Sequence, residues 1–558
     1  MSHSPAEAPP PSTITVMSTS VATSRGFSLN RSSMVSAVRS KAASGEPFDL
    51  VVIGGGITGA GVALDAATRG MSVLLVDRGD LASGTSSKSS KLIHGGLRYL
   101  QQGDVGLVRE ALKERRILMR NAPHLVSVLP FLLPIFTKNG LFPRRIARAL
   151  GSALWAYDTA GGWRIGRLHR RLRRSRVVEL CPGLPEDRIA GGYLYYDASA
   201  DDARLTLDVA RTAAAYGALV VNHCPVTTID VTNGQVSGVT IELEGSHIGV
   251  HSRCVVNAGG VWASKVDALI SQPLTTSLQP VDIRPARGVH VSIPWELVRN
   301  RVAVVLPVPG DRRSVFLIPS GPNDDGTFDL AHIGTTDTEH ASGLDDPRCT
   351  ADDIDYLLRA VNHSFGSNIT SDHVLGIWSG LRPLVVPTGN DSAERTADLS
   401  RRHRVDASPS GVVRVIGGKL TTYRQMAEDT VDQVESILGR RTRCQTSRTP
   451  IIGRSNAVLA QITSEDPSLG NEIVPGSALT GAEVVDSVRN ESALTLIDVV
   501  TRRSRLHIEQ RDRALSAAER VAALMADELD WDEEQRQAEI ASYLALCEAE
   551  VMAQQERP

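Results

Sequence analysis

Val51-Val52-Ile53-Gly54-Gly55-Gly56-Ile57-Thr58-Gly59-Ala60-Gly61 is the stretch that decides the fold. Asp49 to Ile53 is a short apolar, partly β-branched run, which reads as a buried parallel strand. It ends in Gly54-x-Gly56-x-x-Gly59. Glycines at this spacing permit a tight turn, let the backbone approach a pyrophosphate, and let a helix pack closely on the strand. The helix start then turns free N–H groups and a positive dipole end toward the phosphates. Gly54, Gly56, Ile57, Thr58 and Gly59 are therefore expected cofactor contacts. Ile57 to Gly70 is alanine-rich and helical in character, with Gly70 as its stop. Met71 to Asp77 is the second strand. Asp77 falls about twenty residues beyond the glycines, where an acid can hold a ribose hydroxyl, and Arg78 follows it. A carboxylate there would repel a 2′-phosphate, which argues against NADP. This unit alone fits either NAD or FAD.

The rest of the composition narrows the class. At 558 residues the chain is long enough for two or three domains. A net charge of −3 gives no global attraction to nucleic acid. The six cysteines are scattered without a CxxC pair, which fits reduced thiols in a cytoplasmic protein and neither a metal site nor a disulfide frame. No stretch reaches the roughly 18–20 continuous apolar residues of a membrane span. Residues 1–45 are rich in Ser, Ala and Pro and read as a disordered extension. Arginine greatly outnumbers lysine: the chain has seven lysines, and Lys88, Lys91 and Lys419 fall inside the motifs that follow.

A second stretch, SGTSSKSSKLIHGGLRYL at Ser83 to Leu100, sits within thirty residues of the glycine turn. It resembles the signature of the FAD-dependent, respiratory, quinone-linked glycerol-3-phosphate dehydrogenases. The resemblance continues in order through GGYLYYDASADDARL (191–205), VVNAGGVWA (255–263), IGTTDT (333–338), SGLRPL (379–384), SRRHRV (400–405), GGKLTTYR (417–424) and ALTLIDVVTRRSRL (493–506). It covers about residue 46 to the end. The family's Lys-Gly-x-His is Arg287-Gly288-Val289-His290 here, and its Pro-Trp is Pro319-Ser320. No EF-hand pattern follows the C-terminal part, so calcium control is not implied.

The resemblance implies FAD as cofactor. Beyond the glycine turn, Asp77 and Arg78, its contacts would come from Thr85, Ser86, Ser89, Ser90, Lys91, Leu92, His94, Val226, Ala258, Gly259, Trp262, Gly418, Lys419, Leu420 and Thr421. The strand Val412–Ile416 running into Gly417-Gly418 repeats the order strand, glycine, helix start, which aims N–H groups at the flavin. Oxidising a secondary alcohol with flavin moves hydride to its N5 while a base takes the hydroxyl proton. Glycerol 3-phosphate is close to a dianion, so its site should present several cations, ideally guanidinium forks. The motifs supply Arg98, Arg382, Arg401 and Lys419, and the resemblance adds Tyr99 to that pocket. His94 and His290 are both candidates for the base, and Arg382 could hold the developing alkoxide. No metal is expected.

The expected fold class is α/β: an FAD-binding Rossmann-like domain with an inserted antiparallel-sheet substrate domain, together over 46–443, and an α-helical C-terminal domain over 444–558. Strand-like runs at Val281–Ile293, Arg301–Leu306 and Ser314–Ile318 suit the inserted sheet. Leu125 to Phe136 is apolar but broken by Pro130 and Pro134, too short and kinked to span a membrane. Arg144, Arg145 and Arg148 with Ile146, Leu150, Leu154 and Trp155 make a basic amphipathic helix, and Arg164 to Arg176 adds a dense basic run. Such a surface can lie on an anionic membrane interface. The expected activity is oxidation of sn-glycerol 3-phosphate to dihydroxyacetone phosphate, with membrane quinone as acceptor, at the inner face of the plasma membrane. No nucleic-acid partner is expected, and a homodimer is left open. The alternatives are an oxygen-using glycerol-3-phosphate oxidase, an FAD-dependent amine or amino-acid oxidase, and a non-catalytic flavoprotein.

Overall fold

The computed structural model describes residues 28–97, 99, 104–136, 144–311, 313–340, 343–386 and 402–555, except the side chains of 144–149. Six strands form the cofactor sheet, in the order 403–408, 412–417, 255–257, 50–53, 73–76 and 219–221. All neighbours are parallel except 403–408 against 412–417. Leu50–Ile53 is buried at every position, which is why its sequence shows no alternation. The helix Ile57–Thr68 follows it directly, and Gly70 at φ +78° lets the chain reverse into Val73–Val76.

The second large sheet runs 338–339, 282–294, 328–334, 314–322, 303–307, 127–136, 189–199 and 92–93, with 376–386 paired to 282–294 and 170–172 to 189–199. It is antiparallel except where Ala303–Pro307 meets Ser127–Phe136 in parallel. The short strand Leu92–Ile93 carries the chain from the cofactor sheet into this one. The apolar run with two prolines is thus a central strand. Ala303–Pro307 touches it only at Phe131 and Leu132, between the prolines, while Pro130 and Pro134 face Tyr196 and Gly192 on the other side. A three-stranded antiparallel ribbon, 226–232, 235–243 and 246–251, completes the β structure.

From Asn456 the chain is helical, through Gly481–Glu491 and Leu515–Leu529 to the last helix Glu533–Gln555. Buried arginines tie this part to the rest. Glu491 is paired with Arg454 at 3.0 Å and with Arg204 at 2.5 Å, and Asp80 accepts from Arg502 and Arg503, both at 2.6 Å. Asp80, His223 and Asp498 come together, but Arg502 and Arg503 already hold the Asp80 carboxylate and Arg502 pairs with Asp498. The cluster is an ion-pair knot.

The N-terminal expectation needs correction. Residues Arg31–Ser44 are a helix, capped by the Asn30 side chain, with Met34, Val35 and Val38 buried. Leu29 donates its N–H to the Asn490 carbonyl at 2.9 Å. Three apolar residues at helical spacing suffice because the helix packs on existing structure, so composition alone is a poor guide. Residues 1–27 lie outside the described residues.

Candidate active site

Gly54 has φ +113°, and a Cβ there would lie 2.7 Å from the Ala258 carbonyl oxygen. A Cβ on Gly59 would overlap the Gly54 carbonyl. Turn, helix start and the Ala258–Gly259 crossing therefore meet backbone to backbone. The Ile57 N–H, at the start of the helix that also carries Thr58, donates to the Ser86 hydroxyl at 2.9 Å. The Asp77 carboxylate accepts from the Gly55 and Gly79 N–H groups at 2.6 and 2.8 Å. Cys224, two residues before Val226, donates its N–H to the Asp77 backbone carbonyl. Arg78 lies over the Trp262 ring, 5.0 Å from its centre, and pairs with Asp345. These features fit a dinucleotide: a cradle that side chains would fill, amides at a helix start, and an acid at the second strand's end. Gly59→Ala is expected to abolish stoichiometric FAD binding, read as the flavin-to-protein absorbance ratio after purification. A wild-type ratio would contradict this account of the cradle.

Two clusters adjoin the loop from Ser83 to Gly96. In the first, the Lys419 Nζ lies 3.7 Å from the centre of the Tyr99 ring, a cation–π contact. Gly418 at φ +76° delivers Lys419 and the turn Leu420–Thr422. The Thr421 hydroxyl accepts from the His94 N–H at 3.2 Å, which joins the late glycine motif to the early loop.

In the second cluster, register pairs His290 with Trp378 and Ala286 with Arg382, so His290 and Arg382 share one face of the sheet. Arg382 donates to the Thr335 hydroxyl at 2.9 Å and the Thr336 carbonyl at 3.1 Å, and pairs with Asp337 at 3.3 Å. Gly288 makes room for it: a Cβ there would overlap the guanidinium. His290 stacks on Trp378 with ring centres 5.0 Å apart, and its Nε2 lies 2.7 Å from the Ser90 hydroxyl oxygen. Its Nδ1 is buried without a hydrogen-bond partner among the described residues. Burial, and then the Arg382 charge, hold the imidazole well below its ordinary value, so it is neutral at pH 7.

The loop itself is pinned to the sheet. Thr85 donates to the Leu381 carbonyl at 2.6 Å, and Trp378 donates to the Ser89 carbonyl at 3.0 Å. Asp202 accepts from the Ser89 N–H and from the Lys91 ammonium, both at 2.8 Å. Arg98 and Arg401 lie outside the described residues.

The comparisons with known proteins give the family and the cofactor. The family model for FAD-dependent oxidoreductases matches residues 49–424, and that for the C-terminal domain of alpha-glycerophosphate oxidase matches 453–536. A Mycobacterium tuberculosis protein, glycerol-3-phosphate dehydrogenase 2, is 37% identical over 91% of this chain and 89% of its own length. The chain belongs to the FAD-dependent glycerol-3-phosphate dehydrogenase family. The mitochondrial glycerol-3-phosphate dehydrogenase of Mesocricetus auratus is 34% identical over 88% of this chain and 72% of its own. The crystal structure of the Bacillus halodurans glycerol-3-phosphate dehydrogenase complexed with FAD matches with a TM-score of 0.71 at 27% identity, covering 95% of this chain and 98% of that one. The α/β class with a helical C-terminal domain is therefore as the sequence implied, and FAD is the cofactor.

Within this flavoprotein frame, a buried support was not read from the sequence. Asp197 accepts from the Gly95 N–H at 3.1 Å, from the Tyr157 hydroxyl at 2.7 Å and from the Arg115 guanidinium. It fixes Gly95 between His94 and Gly96. Asp197, Asp202 and Thr335 to Asp337 all fall in motifs singled out above, but nothing in their spacing names the groups they hold.

The Asp77 carboxyl is pushed up from 3.8 to about 6, chiefly by burial, against the pull of two backbone N–H groups. A carboxyl with a raised folded value binds more protons folded than unfolded. Its contribution to the stability of the FAD-free protein therefore declines as pH rises from about 4 to about 6. The stability difference between wild type and Asp77→Asn should decline across that window in chemical denaturation. A difference that is flat there would contradict the raised value.

Proposed function

We propose that this chain oxidises sn-glycerol 3-phosphate to dihydroxyacetone phosphate and passes the electrons to a membrane quinone. The observation that carries the reading is Arg382 and a neutral, buried His290 on one sheet face, with Lys419 on the glycine turn that is bonded to the His94 loop. The names of the mycobacterial and mitochondrial relatives support the same substrate.

FAD, when bound, supplies the two-electron acceptor. The chain's own residues do the rest. Arg382, with Thr335, Thr336 and Asp337 fixing its guanidinium, holds the anionic substrate or its developing alkoxide. Lys419, held over Tyr99, supplies a second positive charge. His290 takes the hydroxyl proton, because it is already neutral and its buried Nδ1 has no hydrogen-bond partner among the described residues. The flavin-reduction rate should therefore fall in acid only well below pH 6.5. A fall centred at or above that value would move the role of base to His94.

The quinone reading draws on the surface around residues 155–176. Trp155 is 58% exposed, Trp163 53% and Leu168 47%, beside exposed Arg167, Arg170, Arg171 and Arg173. Exposed aromatics among guanidinium groups suit attachment to the inner, anionic face of a plasma membrane. Among the described residues no helix is long and apolar enough to cross one. Trp155→Ala/Trp163→Ala should weaken binding to anionic vesicles by about tenfold or more, through lost apolar burial. Unchanged co-sedimentation would remove this surface from the account. Turnover with a soluble quinone and little peroxide would support the acceptor. Stoichiometric peroxide in air, at the same rate with or without quinone, would make the chain an oxidase.

A further inference from the structure

The contact between His290 and the Ser90 hydroxyl joins two separate elements, the strand Asp282–Pro294 and the loop that carries Ser89, Ser90 and Lys91. A short segment of the C-terminal domain, Arg505 to Ile508, holds both. On the loop side Arg505 acts through Asp202. Its guanidinium forms a fork on Asp201, one arm at 2.5 Å, and reaches the Asp202 carboxylate at 2.9 Å. The fully buried Asp202 also accepts from the Ser89 N–H and the Lys91 ammonium, both at 2.8 Å. Lys91 has φ +57°, an uncommon backbone state for a residue with a side chain, so the loop depends on its outside ties. The Lys91 ammonium lies 5.5 Å from the centre of the Trp378 ring, on which His290 stacks. After burial and Arg382, it is the next charge that keeps His290 neutral.

On the strand side, Ser292 lies two residues beyond His290 and so on the same face of the sheet. Its hydroxyl donates to the Ile508 carbonyl at 2.6 Å. The neighbouring strand Gly376–Val386 places Gly376 opposite Ser292, and a Cβ on Gly376 would lie 2.1 Å from that same carbonyl oxygen. Only glycine admits the Ile508 backbone this closely. The guanidinium of Arg505 is itself taken up by Asp201, Asp202 and the Thr501 carbonyl, which makes it a support and not a substrate ligand.

We propose that Arg505 is a positioning residue for the oxidation. With the Ile508 carbonyl it clamps the Ser89–Lys91 loop and the His290 strand together, so the C-terminal domain sets the place of the catalytic imidazole. The proposal rests on the reading of His290 as the base.

The test uses FAD-loaded full chains of wild type, Arg505→Gln, Ser90→Ala and the double variant. Amide hydrogen exchange reads the clamp without any substrate. In Arg505→Gln the peptide holding Ser89 should exchange about tenfold faster or more, while the buried strand Leu50–Ile53 keeps its wild-type protection. Stopped-flow reduction by glycerol 3-phosphate reads the consequence. The limiting rate in Arg505→Gln should fall about tenfold or more with the substrate Kd within about twofold, since Arg382 and Lys419 are untouched. The double variant should be little slower than Ser90→Ala, because Arg505 acts through that contact. Arg505→Lys, which keeps the charge without the fork, should regain part of the rate. Wild-type exchange of the loop, a wild-type limiting rate, a loss confined to Kd, or additive losses in the double variant would each overturn the proposal. Should glycerol 3-phosphate leave the wild-type flavin oxidised, the substrate reading fails, and the loop exchange alone decides whether Arg505 is the clamp. Should Arg505→Gln fail to fold, Arg505→Lys carries the same expectations at smaller size and the same risk.

Discussion

Arg382→Ala is expected to lower kcat/KM for glycerol 3-phosphate by about a thousandfold, close to 4 kcal/mol, while FAD stays bound. The size follows from what the side chain is asked to do. A guanidinium fork binding a phosphate or an alkoxide makes charge-assisted hydrogen bonds in a site that excludes water, and its truncation removes them together. The strand beneath should survive. Arg382 is only partly buried, with a side chain 20% exposed, and its partners Thr335, Thr336 and Asp337 belong to a turn that other bonds also hold. The loss should appear in the anaerobic rate of flavin reduction as well as in steady state. Arg382→Lys should recover little, because an ammonium cannot reproduce the fork held by Thr335 and Asp337. Near-wild-type reduction in Arg382→Ala would take this residue out of the site. The same substitution at Lys419 should cost less, since a single charge over Tyr99 is lost and no fork.

Asp197→Ala is expected to destabilise the protein by about 3–5 kcal/mol and to slow flavin reduction in the fraction that folds. Removing the carboxylate leaves the Arg115 guanidinium, 1% exposed, without its counterion, takes away the acceptor of the Tyr157 hydroxyl, and leaves the Gly95 N–H only the Tyr157 oxygen at 3.1 Å. The larger share of the loss is the stranded charge. Asp197→Leu combined with Arg115→Met should therefore regain most of the stability, as replacement of a buried pair by apolar residues often does. It should not regain the reduction rate, because Gly95 would still lack the carboxylate that helps to fix it beside His94. Denaturant unfolding and stopped-flow reduction of the same three proteins separate the two roles. Recovery of both properties in the double variant would make Asp197 a stability residue alone.

What the sequence made legible was local. Gly59 and Asp77 act on neighbours within about one βαβ unit, and that spacing is fixed by the chain itself, whereas the approach of Gly54 to Ala258 was not readable from it. His290 and Arg382 were readable as chemistry but not as a pair: the 91 residues between them gave no sign that two strands would align them on one face. Asp197 was less readable still. Its partners Gly95, Tyr157 and Arg115 lie 102, 40 and 82 residues away. The run Leu125 to Phe136 shows a different limit. Its prolines argued correctly against a membrane span, but they did not announce a central strand, because only Phe131 and Leu132 carry a neighbour on the second side. The helix Arg31–Ser44 was hidden for the opposite reason, since a Ser- and Ala-rich composition masks three residues that pack well. Arg98 and Arg401 fall outside the described residues, so their place beside Lys419 and Arg382 rests on the family motif.

The most direct test is to purify the protein with its FAD, exclude oxygen, add glycerol 3-phosphate without any acceptor, and record the visible flavin band. The account predicts rapid, stoichiometric bleaching by glycerol 3-phosphate and none by glycerol, because the cations of the pocket recognise the phosphate. A flavin that stays oxidised with glycerol 3-phosphate, or that is bleached equally by an amino acid, would contradict it.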